Sequence, residues 1–64
     1  MKNSIPALRA QRSWTQADLA VQIGVSRQTI NAIETGKFDP SLPVAFRLAS
    51  AFGLAIEEIF SSAD

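Results

Sequence analysis

Residues 15–36, TQADLAVQIGVSRQTINAIETG, contain two short helix patterns separated by a glycine and a serine. Thr15 is placed to cap the first helix, and Asp18, three residues later, completes a variant of the capping box. Gly24 supplies the left-handed conformation that commonly ends a helix, and Ser26 is placed to cap a second helix. The stretch therefore predicts two helices joined by a turn of about three residues, which is a helix-turn-helix.

Helix start and stop signals recur on both sides of this segment, and no alternating stretch is long enough to indicate a strand. A first helix is predicted from about Ser4 or Ile5 to Arg12, with Pro6 in its first turn. Gly36 is predicted to end the third helix as Gly24 ends the second. A fourth helix is predicted over about 41–53 and a fifth over about 56–60, the last poorly capped because Ala55 has no side-chain acceptor. The sequence thus predicts an all-α fold, a compact five-helix bundle without a sheet.

Apolar side chains recur at helical spacing, which predicts that they face a common core. The predicted inward positions are Ile5, Leu8, Leu19, Ala20, Ile23, Ile30, Ile33, Leu42, Ala45, Leu48, Ala49 and Phe52. Trp14 is also assigned to the core, although aromatic rings stack on bases in single-strand binders.

The composition excludes most catalytic and metal chemistry. The chain has 64 residues, 47% of them hydrophobic, which suits one folded domain, and it contains no Cys and no His. Zinc sites, disulfides and His-dependent acid–base catalysis lack their usual side chains, and the remaining Ser, Lys and carboxylates stand at no suggestive spacing. We expect no catalytic residue, no metal and no cofactor, and hence not an enzyme.

Two further features concern location and charge. No apolar run approaches the ~20 residues that span a bilayer, and the first residues lack a secretory signal, so we expect a cytoplasmic protein with no membrane partner. Residues 1–37 carry five cations and two carboxylates, whereas residues 38–64 carry one cation and four carboxylates. This asymmetry favours a basic half that faces phosphates, although asymmetries of this size also arise by chance in small domains.

The third predicted helix has a polar face of unusual composition. At about 100° per residue, Gln28 and Asn31 lie opposite Ile30 and Ile33, and the face carries little charge. In the major groove, Arg pairs with guanine, and Gln or Asn pairs with adenine, through two hydrogen bonds each. The pattern is typical either of a face that reads DNA bases or of a neutral solvated face.

Over about residues 4–60 the sequence resembles the Xre-type, or phage-repressor/Cro-like, helix-turn-helix regulators. The segments that carry the resemblance are TQADLA (15–20), IGVSRQTINAIETGK (23–37), PSL (40–42), LA (48–49), FG (52–53) and IEEIF (56–60). The resemblance implies that residues 1–64 form one DNA-binding domain with its helix-turn-helix at about 16–35. It also implies either a small stand-alone regulator or a segment of a longer repressor.

The resemblance assigns roles to individual residues. Those at base-reading positions are Arg27, Gln28, Asn31 and Ala32, and those at DNA-backbone positions are Thr15, Gln16, Ser26, Thr29 and Lys37. Family members use a glutamine at the position of Gln16 to grip phosphate and to buttress the recognition helix. The unpaired amides of that first turn form an anion site in any case. The plain alternatives are a helix-start residue at Gln16 and an exposed lysine at Lys37.

Two more sets concern structure and assembly. Arg9 and Glu34 match a family ion pair between the first and third helices, and we interpret it as structural.

Ile56, Ile59 and Phe60 are predicted to form a homodimer contact, with Phe60 partly exposed, because one short helix does not readily bury three large apolar groups. The alternative is that all three pack inward in a monomer that pairs only on DNA.

These observations predict a sequence-specific regulator of transcription that binds double-stranded DNA. Recognition helix 27–35 would lie in the major groove, and a homodimer would bind a pseudo-palindromic operator. No small-molecule ligand is expected. The alternative from another class is a protein-binding module, such as an antitoxin or an accessory subunit, which would expose an apolar patch larger than a dimer contact requires.

Overall fold

The computed structural model describes residues 1–61, which form five helices and one short strand pair. The helices are α1 (Ile5–Arg12), α2 (Gln16–Ile23), α3 (Arg27–Glu34), α4 (Leu42–Phe52) and α5 (Ile56–Ile59). Strands β1 (Lys2–Asn3) and β2 (Phe60–Ser61) pair antiparallel, with Asn3 opposite Phe60. The prediction of five helices is confirmed. The prediction of no sheet is wrong, because strands of two residues are too short to show alternation.

Three of the helices begin at side-chain caps, of which Thr15 and Ser26 were predicted and Ser41 was not. Thr15, Ser26 and Ser41 each accept a hydrogen bond from the amide three residues later, at 3.0, 3.1 and 3.3 Å. Asp18 Oδ2 accepts from the Thr15 amide at 2.9 Å, so the predicted capping box is present. Ala55 has no side-chain acceptor, but its amide donates to Glu58 Oε1 at 2.8 Å, which supplies half of such a box.

Helices α1 to α4 end in the same kind of turn, in which a residue with positive φ lets the next amide reach a carbonyl five positions back. The bonds run from Trp14 to Arg9, Val25 to Ala20, Lys37 to Ala32 and Leu54 to Ala49, at 2.9–3.1 Å. Glycine occupies the positive-φ position in three of these turns, but α1 ends with Ser13 at a φ of 58°. A residue with a Cβ is strained there by about 1–2 kcal/mol, whereas glycine is not.

The core draws on every helix. Its buried members are Ile5, Leu19, Ala20, Ile23, Ile30, Ile33, Ala45, Leu48, Phe52, Ile59 and Phe60. Two predictions about burial are wrong. Leu42 is 64% exposed because it lies at the edge of the stripe formed by Ala45 and Leu48. Phe60, predicted at the end of α5 and partly exposed, lies in β2 and is 8% exposed, because the strand turns its ring into the core.

An arginine closes one side of this core. The Arg12 guanidinium lies 5.7 Å from the centre of the Trp14 ring and 5.0 Å from that of Phe52. It also donates to the Phe52 carbonyl at 2.8 Å, and the two rings lie 5.6 Å apart. The expected core packing of Phe52 is confirmed, and Trp14 packs against the core from a half-buried position. The contact joins the ends of α1 and α4 by packing a cation against two aromatic rings.

Candidate nucleic-acid interface

Helices α2 and α3 form a helix-turn-helix joined by Gly24, Val25 and Ser26. Gly24 ends α2 with a φ of 72°, Val25 packs against the core, and Ser26 caps α3. Ile30 and Ile33 are 0% and 2% exposed, so one face of α3 is committed to the core. The opposite face of α3 is therefore held toward solvent by the burial of these two side chains.

That outer face bears the predicted base-reading residues. Arg27, Gln28 and Asn31 are exposed, and Ala32 is half-buried beside them. Within residues 1–61, the side chains of Arg27, Gln28 and Asn31 have no hydrogen-bond or ion-pair partner. Their polar groups, a guanidinium and two carboxamides, are free to bind a ligand in the planar, two-bond manner that base edges require.

The predicted DNA-backbone residues lie mainly at helix starts. Ser26 Oγ accepts from the Thr29 amide at 3.1 Å and lies 2.9 Å from Thr29 Oγ1, where either hydroxyl can donate. Thr15 caps α2, and Lys37 is exposed just after the turn that ends α3. The first turns of α2 and α3 therefore present unpaired amides with capping hydroxyls beside them, an arrangement that attracts anions.

Glu34, the last residue of α3, joins three helices. Its carboxylate accepts from Arg9 Nε at 2.6 Å, Arg9 Nη2 at 3.1 Å and Gln16 Nε2 at 3.0 Å. The Glu34 side chain is 6% exposed and that of Arg9 17%. Arg9 also donates to the Trp14 carbonyl at 3.0 Å. The hydrogen bonds to Glu34 raise the pKa of Arg9 above its usual range, against the opposing effect of burial.

This arrangement defines what the Gln16 side chain does in the free protein. Its amide nitrogen is directed at Glu34, so the first turn of α2 is fastened to the last turn of α3. This is the buttressing contact of the two roles that the family resemblance implies for Gln16. The phosphate contact stays a prediction.

Two residues with polar contacts to the helix-turn-helix, Asn3 and Arg47, were missed by the sequence reasoning. Asn3 Nδ2 donates to the carbonyls of Ile33 and Glu34 at 3.2 and 3.3 Å. Arg47 Nη1 lies 3.5 Å from the Ile23 carbonyl, at the end of α2. An asparagine two residues before a helix start is a recognisable capping signal, but its second contact, thirty residues away in sequence, has no local signature.

The predicted dimer residues are placed differently from expectation. Ile59 and Phe60 are 2% and 8% exposed and offer little surface to a second copy, and Ile56 is half-buried. Large apolar side chains are instead exposed on α4, at Leu42 and at Phe46, which is 57% exposed. A shallow depression beside them is lined by Met1, Pro40, Leu42, Ala45, Ile56, Glu57 and Phe60. Leu42 and Phe46 thus form an exposed apolar pair near the start of α4, while Val21, on α2, is 82% exposed.

Among residues 1–61, no helix is both long and apolar enough to cross a membrane. That same segment brings together no three side chains of the types that ligate metals.

Comparison with known proteins agrees with this geometry. A family model described as helix-turn-helix, HTH_3, matches residues 6–59. The chain belongs to the Xre-type helix-turn-helix family. This Xre-type protein is 58% identical over 60 residues to an uncharacterized HTH-type transcriptional regulator, MJ0272, of Methanocaldococcus jannaschii, a match that covers 94% of the chain and 91% of the relative.

The family makes this Xre-type chain a DNA-binding regulator of transcription. Two further matches are a solved structure and a more distant relative. The structure resembles that of a hypothetical transcription factor, NHTF, from Neisseria, with a TM-score of 0.75 and 29% identity; the match covers 81% of this chain and 58% of that one. A more distant relative is the antitoxin HipB of Escherichia coli K12, at 29% identity over 56 residues, which are 88% of this chain and 64% of HipB. The five-helix fold that the resemblance implied is confirmed.

Proposed function

We propose that this regulator recognises a specific DNA sequence by inserting α3 into the major groove. The observation that supports the proposal best is that Arg27, Gln28 and Asn31 are exposed on one face of α3 and have no partner within residues 1–61. Arg27 is suited to a guanine, and Gln28 and Asn31 to adenines. The Ala32 methyl, too short for such hydrogen bonds, is suited to contact with a thymine methyl.

Phosphate contacts flanking the reading helix complete the proposed interface. The amides that begin α2 and α3, with Thr15, Gln16, Ser26 and Thr29 beside them, provide anion sites on helix dipoles. Lys37 adds a positive charge after the other end of α3. Contacts of this kind fix register on the duplex and bind all sequences alike, so base discrimination rests on α3.

We infer that two copies bind a pseudo-palindromic operator. The three reading side chains span about one turn of α3, which covers too few base pairs for specificity, and half-sites about 34 Å apart suit a two-fold dimer. Since Ile59 and Phe60 are buried, the proposed contact shifts to Leu42 and Phe46, with Ile56 at its edge. A half-exposed phenylalanine side chain leaves about 100 Å² of its surface accessible to a second copy.

The size of this surface sets the strength of the proposed dimer. The patch amounts to a few hundred Å², compared with about 800 Å² per partner in a stable complex. The dimer is accordingly weak in solution and forms on the operator. Because the patch is no larger than a dimer contact requires, it does not favour the alternative of a protein-binding module. The proposal involves no catalysis, cofactor or small ligand, and it places the protein in the cytoplasm with chromosomal DNA.

The test is selection of duplexes from a random pool, followed by affinity measurements on the enriched site. We expect an enriched palindrome, and we expect Gln28→Ala to weaken binding to it by about 1–3 kcal/mol while relaxing the preference at one base pair. Gln11→Ala, which removes an equally exposed glutamine from α1, is the matched control and should bind as wild type. A pool without enrichment would refute sequence-specific binding.

A further inference from the structure

Asn3 lies at a junction of three elements. Its backbone is paired with Phe60 across the β1–β2 ladder. Its side-chain oxygen, Oδ1, accepts from the Ile5 amide at 3.0 Å, at the start of α1. Its side-chain nitrogen, Nδ2, donates to the carbonyls of Ile33 and Glu34, at the end of α3. One half-buried carboxamide therefore uses its acceptor on α1 and its donor on α3.

The donor completes the hydrogen bonding at the end of α3. The last four carbonyls of a helix have no partner within it. In α3, Asn31 accepts from the Thr35 amide, Ala32 from the Lys37 amide and Ile33 from the Gly36 amide. The carbonyl of Glu34, the fourth, receives Asn3 Nδ2. Asn3 thus satisfies the carbonyl that the closing turn of α3 does not reach.

Together these contacts add a polar anchor at the end of α3 to the burial of Ile30 and Ile33. Glu34 is gripped at its carboxylate by Arg9 and Gln16 and at its carbonyl by Asn3. Arg27, at the other end, is exposed and unpartnered within residues 1–61. The two ends are about 10 Å apart along the helix axis, at about 1.5 Å per residue. A tilt of about 5° at Glu34 then moves Arg27 by about 1 Å, which exceeds the ~0.5 Å that a preorganised site tolerates.

We propose that Asn3 is a positioning residue for DNA reading: its carboxamide sets the orientation of α3 through the Glu34 carbonyl. The proposal rests on the function proposed above for α3. It assigns to a residue of β1, outside the helix-turn-helix, a share in the discrimination between operator and random DNA.

Three variants separate this role from general support of the fold. Asn3→Ala removes the contacts to α1 and α3 together. Asn3→Asp keeps an acceptor for the Ile5 amide but loses the donor, and it sets a negative charge beside the α3 carbonyls. Ser4→Ala is the matched control, because the Ser4 hydroxyl lies 3.3 and 3.4 Å from the carbonyls of Glu58 and Ile59 in α5 and forms no hydrogen bond to α3 within residues 1–61.

The first measurement is the ratio of affinities for the selected site and for random duplex, taken well below each variant's unfolding temperature. We expect Asn3→Ala and Asn3→Asp to lower this ratio about tenfold, with binding to random duplex unchanged, and Ser4→Ala to leave the ratio as in wild type. The proposal is overturned if Asn3→Asp restores the wild-type ratio, because capping of α1 would then be the whole role. It is equally overturned if Ser4→Ala lowers the ratio as much.

The second measurement is amide hydrogen exchange in the free protein, which is independent of DNA. The Lys37 amide, bonded to Ala32, reports the end of α3, and the Leu54 amide, bonded to Ala49, reports the same turn at the end of α4. We expect Asn3→Ala to speed exchange at Lys37 about tenfold relative to Leu54. Equal rates in variant and wild type would refute the anchoring of α3. If the wild-type protein does not discriminate between the selected site and random duplex, the proposed function is refuted instead. Hydrogen exchange at Lys37 would still show whether Asn3 anchors α3.

Discussion

Replacing Glu34 with alanine is expected to remove much of the stability of the fold. The substitution leaves Arg9, whose side chain is 17% exposed, without its carboxylate, and it leaves Gln16 Nε2 without its acceptor. Breaking a buried ion pair from one side costs about 3–5 kcal/mol, and water reaches part of Arg9, so we expect about 3 kcal/mol. A domain of this size has about 3–10 kcal/mol in all. The loss corresponds to a fall of about 12–24 °C in Tm.

The assay is urea unfolding followed by the fluorescence of Trp14, the one tryptophan of the chain. Trp14 is a suitable reporter because its carbonyl accepts from Arg9 and its ring packs on Phe52. Glu34→Gln keeps an acceptor of the same size without the charge and should cost less, about 1–2 kcal/mol. Glu57→Ala removes an exposed carboxylate and should change stability by under about 1 kcal/mol. If Glu34→Ala unfolds within about 0.5 kcal/mol of wild type, the Glu34 contacts do not hold the helices together.

Three other outcomes are expected. Ser13→Gly should raise the free energy of unfolding by about 1 kcal/mol because it relieves the strain of a φ of 58°, and Gly53→Ser, at the equivalent turn of α4, should lower it. Denaturant midpoints measure both changes, and a Ser13→Gly variant less stable than wild type would contradict the strain at Ser13. Arg27→Ala should weaken binding to the selected site by about 1–3 kcal/mol and relax the preference at one base pair in a competition assay. An equal loss of binding free energy on random duplex would instead assign Arg27 to a phosphate contact. Wild type should sediment as a monomer at tens of micromolar. Phe46→Glu should abolish cooperative binding to a duplex with two half-sites, whereas the control Ser50→Glu should not, and an unaltered binding curve for Phe46→Glu would exclude the Leu42–Phe46 surface as the dimer contact.

Local chemistry made most of the fold predictable. Thr15, Ser26 and the glycines that end α2, α3 and α4 act through neighbours within five residues, so their roles can be recognised in the sequence. The outer face of α3 follows from the same periodicity that buries Ile30 and Ile33. Capping and periodicity therefore account for the helices and for the orientation of the candidate DNA-reading residues.

The rest depends on contacts between distant parts of the chain. Phe60 was assigned to a helix because its pairing partner, Asn3, lies at the other end of the sequence, and two residues are too few to show a strand period. Leu42 fits the apolar spacing of α4, but whether another element covers it depends on tertiary packing. The donation from Asn3 to Glu34 and the Arg12 contact with Trp14 and Phe52 likewise exist only once the elements are assembled.

Helix α3 has one buried face and one face without hydrogen-bond or ion-pair partners within residues 1–61, and this division bears on how the protein can evolve. The side chains that fold the helix, Ile30 and Ile33, are different from those proposed to read DNA, Arg27, Gln28 and Asn31. Substitutions at the latter three positions remove no side-chain hydrogen bond or ion pair within residues 1–61, so we expect them to change the free energy of unfolding by about 0.5 kcal/mol or less. If α3 reads DNA as proposed, libraries at these three positions would sample binding preferences while few members are lost to misfolding.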